Sequence, residues 1–335
     1  MLAWNSLAET VTVSSWGGLY GESQRKAYFE PFTAATGVRV VEHDWGGDLD
    51  KIRAMVATGR YQAHVLDAES GDVVQGCAEG ILEPIDYEKL GLSPQDMLPG
   101  AAHLCGVGIV AWSMVLVFDR ARLATDSPES WTDFFDLTRF PGGRGLRRGP
   151  LGNLEIALMA DGVVPEDVYP LLRTEEGTGR AFAKLETIAP HATWWEAGRQ
   201  PARLLDDGDA SMTTAWHGRM RQAIDEMRRP FEIIWRGQIL DYGYWVIPRG
   251  HPRTDLAHRF IAFSTRPAPQ AQQARHIPYG PLRNAAFEHL QADIARRLPT
   301  APENLDRWLM LDAGFWLEHR EALTVSFDAL LSRSR

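Results

Sequence analysis

Strand patterns and helix patterns alternate along the N-terminal part of the chain, and this alternation restricts the possible folds more than any other feature. Residues 11–15 are mostly β-branched, as expected of a strand, and residues 22–36 form a helix pattern that Gly37 ends. The complete series is strand 11–15, helix 22–36, strand 38–41, helix 49–58 and strand 64–67. Such a series predicts an α/β fold with a mainly parallel sheet and helices on both faces.

The residues that follow these strands are candidates for ligand binding, because open α/β sheets bind ligands beyond the carboxyl ends of their strands. Ser15 and Trp16 stand at the end of the first predicted strand. Glu69 and Ser70 follow the third predicted strand. We therefore expect these four residues at a binding site.

The chain of 335 residues is longer than one hydrophobic core usually supports, which predicts two domains. The apolar run Gly106–Phe118 is long for a single strand, and Tyr244–Pro248 is a second apolar strand pattern that a proline ends. A strand that crosses from one domain to the other has this character. We interpret both segments as such crossings.

Two aromatic segments carry opposite charges. Trp216 precedes Arg219 by three residues, and Asp241 opens the segment Asp-Tyr-Gly-Tyr-Trp. A guanidinium offers paired donors to a carboxylate, whereas an aspartate accepts from an ammonium and aromatic faces attract cations. The segments are thus suited to a small molecule with one negative and one positive end. The alternative is that Arg219 lies on a helix surface and the aromatic residues belong to the core.

Composition excludes several functions. The net charge is −9, and the short cluster Arg144, Arg147 and Arg148 is best interpreted as a solvated loop, so nucleic acid is not expected as a partner. No apolar run is long enough to span a bilayer, and Met1–Asn5 lacks the basic and apolar regions of a signal peptide. Cys77 and Cys105 would pair in a secreted protein and stay thiols in a cytosolic one.

Motifs of known enzymes and cofactor sites are missing from the sequence. It contains no Gly-x-Ser-x-Gly elbow, no phosphate-binding Walker loop and no His-Glu-x-x-His pair. Its ten histidines lack the spacing of metal ligands. We therefore expect no catalytic residues, no metal and no cofactor.

Four segments in this order resemble the periplasmic solute-binding proteins of ABC transporters, in the spermidine/putrescine-like branch. They are 14–20 (SSWGGLY), 32–40 (FTAATGVRV), 204–219 (LLDDGDASMTTAWHGR), and 245–248 (WVIP) with 277–281 (IPYGP). The resemblance covers residues 10–331. It implies a type II periplasmic binding protein: two Rossmann-like α/β domains, joined by two crossing strands, with a ligand cleft between them. The implied domains are 1–115 with 249–335, and 116–248.

The same resemblance implies a monomer in the periplasm that is not an enzyme. Such a protein delivers a small-molecule ligand to an inner-membrane ABC permease. In an oxidising periplasm, Cys77 and Cys105 are expected to form a disulfide.

One departure from the polyamine-binding members bears on the ligand. Those proteins place an aspartate where this sequence has Arg219, and their second aspartate corresponds to Gly243, two residues after Asp241. The pattern resembles relatives that bind γ-aminobutyrate, with Arg219 on the carboxylate and Asp241 on the amine. Six aromatic residues would enclose the methylene groups: Trp16, Tyr20, Trp112, Trp216, Tyr242 and Tyr279.

Three alternatives remain open at this point. A polyamine would require Arg219 to face away from the ligand. A dicarboxylate or another small acid would require a second donor such as Arg199 or Gln200. An enzyme on the same scaffold would require a reactive thiol at Cys77 or Cys105.

Overall fold

The structure is a computed structural model that describes residues 9–123 and 126–333. The segment Met1–Asn5, and with it the prediction about a signal peptide, lies outside the described residues. Within them, no helix combines the length and the apolar character that a membrane crossing needs.

Strands and helices alternate through the chain, as the sequence predicts. The strands are β1 Thr10–Ser15, β2 Arg39–Asp44, β3 Val65–Glu69, β4 Ala102–His103, β5 Gly106–Asp119, β6 Arg144–Arg147, β7 Ala192–Trp195, β8 Met212–Trp216, β9 Phe231–Val246 and β10 Leu309–Met310. The α-helices are α1 Gly18–Gln24, α2 Glu30–Thr36, α3 Leu49–Thr58, α4 Ser70–Ala78, α5 Tyr87–Leu90, α6 Trp131–Phe135, α7 Asn153–Ala160, α8 Pro165–Leu172, α9 Glu175–Glu186, α10 Gln200–Asp207, α11 His217–Met227, α12 Thr254–Ser264, α13 Pro267–His276, α14 Ala292–Ala295 and α15 Ala313–Arg333. A π-helical turn, Arg25–Phe29, joins α1 to α2.

The chain packs into two units. Among the described residues, the first comprises 9–111 and 242–301, and the second comprises 112–123, 126–241 and 302–333. In the second unit, β10 pairs with β9 in parallel, Leu309 opposite Ile239, which holds the C-terminal segment there. The domain boundaries predicted from the sequence remain a prediction.

In the first unit, β1 lies between β2 and β3, and both pairings are parallel. The end of β9 runs antiparallel to β3, with Asp67 opposite Trp245 and Glu69 opposite Gly243. The predicted parallel α/β arrangement is therefore confirmed. One edge of this sheet brings together the carboxyl ends of β1, β2 and β3.

The first helices of this unit end and begin as their residues predict. Gly37 adopts the left-handed conformation, with φ of 74°, and closes α2 as the predicted C-cap. The side chain of Asp48 accepts from the backbone N–H of Asp50 and caps the start of α3. These caps fix where the chain leaves each helix for the next strand.

The second unit contains a sheet of β5, β8, β6 and β7. Strand β8 is antiparallel to β5, whereas β6 is parallel to both β8 and β7. The apolar core on this sheet includes Phe118, Phe134 and Leu158, all with no exposed surface, and Trp316 from α15.

Arg144 corrects the interpretation of its segment as a solvated loop. It begins β6, and none of its surface is exposed. Its guanidinium donates to the carbonyl oxygens of Phe134 and Phe140, both at 2.6 Å, and of Gly142 at 2.9 Å. Burial lowers the pKa of Arg144 to about 10, still far above neutrality. The arginine is a buried structural residue that satisfies backbone carbonyls.

Strand β9 is longer than the predicted segment Tyr244–Pro248, because it begins at Phe231. Exposed charged residues, Glu232 and Arg236, interrupt the apolar pattern of its first part. Strands β5 and β9 both contain residues of the two units, and the predicted strand at Gly106–Phe118 is confirmed as β5.

The two cysteines form a disulfide, as the family resemblance implied. Cys77 lies near the end of α4 and Cys105 immediately before β5, with their Cα atoms 5.7 Å apart. The bond lies wholly within the first unit. It removes both thiols that an enzyme on this scaffold would have needed as nucleophiles.

Candidate functional site

A buried carboxylate lies near the edge of the first unit where β1, β2 and β3 end. Asp67, in β3, has no exposed surface. Its Oδ2 atom accepts from the Tyr20 hydroxyl at 2.8 Å, from Gln24 Nε2 at 2.7 Å and from the Ser15 hydroxyl at 3.2 Å. The Ser15 proton is shared with Gln24 Oε1, which lies closer at 2.6 Å.

Burial dominates the electrostatics of this carboxylate and raises the pKa of Asp67 to about 6. Hydrogen bonding from Tyr20, Gln24, Trp16 and Ser15 opposes that shift. In turn, burial and the nearby charge of Asp67 raise the pKa of Tyr20 well above its usual range. At neutral pH the site therefore holds a neutral phenol beside a carboxylate that is mostly ionised.

Trp16 follows β1 and is 38% exposed. Its ring contacts that of Trp45, with centroids 6.5 Å apart, and the Trp45 indole donates to the backbone oxygen of Asp67 at 2.9 Å. The Trp16 ring also covers Gly47, where a Cβ atom would lie 2.2 Å from Cη2 of Trp16. An exposed indole is thus held in place at the edge where β1, β2 and β3 end.

Tyr20, which donates to Asp67, forms an aromatic pair with Tyr279, with ring centroids 5.9 Å apart. The segment that carries Tyr279 is fixed by two backbone hydrogen bonds between Ala111 and Gly280, of 2.8 and 3.0 Å. Both tyrosines are partly buried. The structure therefore brings together three predicted site residues: Ser15, Tyr20 and Tyr279.

Three other predicted residues of the first unit lie in different surroundings. Glu69 is exposed at the start of α4. Ser70 is 9% exposed, and its hydroxyl has no hydrogen-bond partner among residues 9–123 and 126–333. Tyr242 has no exposed surface and packs against Tyr244, with centroids 6.3 Å apart.

The second unit holds a cluster of tryptophans at the end of its parallel strands. Trp216 ends β8 and meets Trp112 edge-on, with centroids 5.0 Å apart and an interplanar angle of 88°. Trp195, at the end of β7, meets Trp216 at 5.8 Å. The Arg147 guanidinium, at the end of β6, lies over the Trp216 ring, 5.1 Å from its centroid.

A small cavity opens beside these rings and includes Asp241, which is 3% exposed. The cavity is lined by Trp112, Met114, Leu151, Gly152, Trp216, Ile239, Asp241 and Leu311. Most of its lining is apolar. Asp241, Trp112 and Trp216, three predicted site residues, are therefore brought together within one unit.

Arg219 is exposed on α11, three residues after Trp216. A Cβ atom at Gly198 would lie 3.2 Å from both Arg219 Cγ and Trp216 Cδ1, so the arginine stem and the indole flank the same glycine. Arg199 and Gln200, the alternative donors, lie next to that glycine. Gln200 Oε1 accepts from the backbone N–H groups of Glu196 and Ala197, both at 2.7 Å.

Two residues at these sites were not among the predicted ligand-binding residues, although the strand-end rule points at the segment that Asp67 begins. Asp67 interrupts the apolar stretch Val65-Leu66-Asp67-Ala68, and an acid inside a buried strand was the available signal. Arg147 is the third residue after Arg144, within a segment that the sequence analysis interpreted as a loop. No group of three or more His, Cys, Asp or Glu residues suited to a metal was found in the described part of the chain.

Residues 27–299 match the family described as bacterial extracellular solute-binding protein, and the chain belongs to this family. It is a solute-binding component of an ABC transporter, which takes a small-molecule ligand and works with a membrane permease, and it is not an enzyme. The fold is that of the type II periplasmic binding proteins.

One characterised protein and two solved structures are similar to this chain over nearly its whole length. The chain is 41% identical over 326 residues to the gamma-aminobutyric acid-binding protein of Pseudomonas aeruginosa PAO1, covering 97% of this chain and 92% of the relative. An ABC transporter substrate-binding protein from Bradyrhizobium japonicum USDA 110 shares 31% identity, with a TM-score of 0.84, over 96% of this chain and 99% of the other. The Atu4243 GABA receptor shares 29% identity, with a TM-score of 0.81, over 96% and 98%.

Proposed function

We propose that the protein binds γ-aminobutyrate or a closely related ω-amino acid in the periplasm, as a monomer, and delivers it to an inner-membrane permease. Two relatives named above carry γ-aminobutyrate in their descriptions. The identity of 41% over nearly the whole chain supports a ligand of the same chemical class.

One structural observation carries the proposal. In the second unit, the Trp216 ring lines the cavity that contains Asp241, and the stem of Arg219 lies beside the same ring. An acid, a base and aromatic surface suit a ligand with an ammonium, a carboxylate and methylene groups between them. In this proposal Arg219 binds the carboxylate, and Asp241 is the aspartate that the sequence predicts for the amine.

A ligand screen tests the proposal directly. Thermal unfolding of the purified protein is measured with γ-aminobutyrate, putrescine, spermidine and succinate in separate samples. A ligand at a thousandfold excess over its Kd stabilises the folded state by about 4 kcal/mol, so we expect a clear shift with γ-aminobutyrate. A shift with the diamines alone would replace the proposal by polyamine binding, and a shift with succinate alone would replace it by dicarboxylate binding.

The role of Arg219 has its own test. We expect Arg219→Ala to weaken γ-aminobutyrate binding at least about 30-fold by calorimetry, because the ligand carboxylate loses a charged donor. Arg221→Ala is the matched control: Arg221 lies on the same helix and pairs with Asp225. Equal affinities for the two variants would contradict the assignment of Arg219.

A further inference from the structure

The cavity beside Asp241 has an apolar wall in which Met114 of β5 and Gly152, just before α7, are neighbours. Gly152 adopts a left-handed backbone conformation, with φ of 86°. The thioether of Met114 packs directly against this glycine: a Cβ atom there would lie 2.6 Å from Met114 Sδ and 2.8 Å from Cε. These distances are shorter than van der Waals contact, so a side chain on Gly152 and the present position of Met114 exclude each other.

Hydrogen bonds hold the turn that carries Gly152. Its backbone N–H donates to Oε2 of Glu155 at 2.8 Å. Oε1 of Glu155 accepts from the Tyr169 hydroxyl at 2.9 Å and from the Trp316 indole at 2.7 Å. The side-chain amide of Asn153 donates to two carbonyl oxygens of the preceding segment, both at 2.6 Å. Glu155 and Asn153 have no exposed surface, and buried hydrogen bonds are costly to break, so we expect the turn to stay in place when Gly152 is substituted.

Met114 is therefore the group that moves when Gly152 gains a side chain. Its thioether is flexible, it is 1% exposed, and it borders both the core of the second unit and the cavity. Close packing opposes a displacement into the core, whereas the cavity offers open space. A methyl group on Gly152 would push the thioether into the cavity and make the cavity smaller.

The lining of this cavity suits the amine end of an ω-amino acid. Asp241 supplies a carboxylate, and Trp112, Trp216, Ile239 and Leu311 supply aromatic and apolar surface. Apolar surface stabilises methylene groups more than further polar groups. The space between the carboxylate and the apolar wall therefore decides how many methylene groups fit beside a bound amine.

We propose that Met114 and Gly152 determine the length of ω-amino acid that the protein accepts. The thioether, seated on a residue without a side chain, limits the space beside Asp241. This proposal rests on the proposed function for the class of ligand and for the role of Asp241. Met114 and Gly152 are specificity-determining residues in it, and Glu155 is a positioning residue that holds the turn.

Calorimetry with three homologous ligands tests the proposal. They are 3-aminopropanoate, γ-aminobutyrate and 5-aminopentanoate, each one methylene group longer than the one before. Met114→Ala removes the thioether from the wall, so the ratio of affinities should shift about tenfold in favour of 5-aminopentanoate, because one methylene group has an effect of this size in an apolar pocket. Met159→Ala is the matched control, since Met159 belongs to the same core but is not one of the described residues that line the cavity.

Gly152→Ala should have the opposite effect. The displaced thioether makes the cavity smaller, so the ratio of affinities should shift about tenfold in favour of 3-aminopropanoate. Gly162→Ala is the matched control: Gly162 follows α7, has φ of 89°, and a methyl group there would meet nothing within 4 Å. Both substitutions strain a left-handed backbone, but only Gly152→Ala should change the preference for ligand length.

A double variant separates displacement of Met114 from backbone strain. When Gly152→Ala is combined with Met114→Ala, the thioether that the methyl group displaces is absent, so the preference for 3-aminopropanoate should be lost. Strain in the backbone of Gly152 persists in the double variant and would not produce this reversal. A double variant that keeps the preference of Gly152→Ala would contradict the proposal.

The outcomes separate this proposal from the proposed function. If the unmodified protein binds γ-aminobutyrate, but Met114→Ala and Gly152→Ala keep its affinity ratios within about twofold, the assignment of ligand length alone is rejected. If the unmodified protein binds none of the three ligands, the proposed function is rejected and this proposal with it. Thermal unfolding shows whether each variant is folded, and should Gly152→Ala fail to fold, the comparison of Met114→Ala with Met159→Ala decides.

Discussion

At the scale of single residues, Trp16 shows how an exposed aromatic side chain is held ready at a sheet edge. Its ring lies on Gly47, and neighbouring Gly46 has nearly the same backbone, with φ of 72° against 69°. A methyl group at Gly47 would overlap the ring, whereas one at Gly46 would meet nothing within 4 Å. Alanine at Gly46 would therefore introduce backbone strain alone, whereas alanine at Gly47 would introduce the same strain and also displace the Trp16 indole.

We predict that Gly47→Ala displaces Trp16 and that Gly46→Ala does not. Both variants share the strain of a left-handed alanine, so both should lose similar stability from the backbone. Only Gly47→Ala should change tryptophan fluorescence and weaken ligand binding. Equal fluorescence and affinity in the two variants would show that the Trp16 ring does not depend on Gly47.

Arg144 leads to a second prediction at this scale. Lysine cannot reproduce a guanidinium that donates to several carbonyl oxygens, those of Phe134, Phe140 and Gly142 at 2.6–2.9 Å among them, and at 3.0 Å to the Ser211 hydroxyl. We expect Arg144→Lys to lower the free energy of unfolding by about 2–4 kcal/mol in urea titrations. Arg148→Lys, at a half-exposed arginine, should change it by less than about 0.5 kcal/mol.

At the scale of elements, His64 and His251 form a pair next to β3 and β9. Their ring centroids lie 4.4 Å apart, and each Nδ1 atom accepts a backbone N–H, from Thr12 and Arg253 respectively. Burial first, then the neighbouring His64 and Arg253 charges, lower the pKa of His251 to about 4. Burial also lowers the pKa of His64. Both rings are therefore neutral in the folded protein at pH 7.

This pair predicts a loss of stability in mild acid. An unfolded histidine has a pKa near 6.5, so the unfolded chain binds more protons as the pH falls from about 6.5 towards 4. The contribution of the two histidines to the free energy of unfolding is therefore complete above about pH 6.5 and decreases as the pH falls towards 4. In urea titrations at pH 7 and pH 5, His251→Gln should reduce the loss between the two values, whereas His191→Gln, at an exposed position, should not.

The helices and strands also differ in how well the local sequence predicts them. The apolar run of β5 and the glycine-terminated helices α2 and α3 are clear from the sequence, because local preferences agree with the fold there. Strand β6 has only four residues. Its first residue, Arg144, can be buried because backbone carbonyl oxygens of the segment 134–142 accept hydrogen bonds from its guanidinium. Contacts of that kind come from distant segments, and no local pattern predicts them.

The candidate site follows the same rule. The strand-end argument finds Ser15, and the aromatic segments point to Trp112 and Trp216, which do meet in one cluster. The hydrogen bonds to the buried Asp67 carboxylate come from Ser15 of β1 and from Tyr20 and Gln24 of α1. Residues so far apart in sequence reveal their relationship only after folding.

At the scale of the whole molecule, the two packing units differ in covalent structure, because only the first contains the disulfide. We predict that reduction lowers the free energy of unfolding by about 3 kcal/mol, because the unfolded chain regains the freedom of a loop with a sequence separation of 28. Chemical unfolding with and without a reductant measures this difference. Cys77→Ser with Cys105→Ser should reproduce it and be insensitive to reductant.

The same bond predicts an uneven response across the molecule. Reduction should accelerate amide hydrogen exchange in α4 and β4 of the first unit before it affects α7 or α9 of the second. Mass spectrometry of peptides after exchange distinguishes the two units. Equal acceleration throughout would show that the two units open as a single cooperative body.

The disulfide also simplifies how the chain matures. Six cysteines allow fifteen pairings and four allow three, but the two cysteines of this sequence allow one intramolecular bond. An oxidant acting on one chain therefore has a single product, and no enzyme that reshuffles bonds is needed to correct it. Oxidation can precede, accompany or follow folding and still end in the same covalent structure.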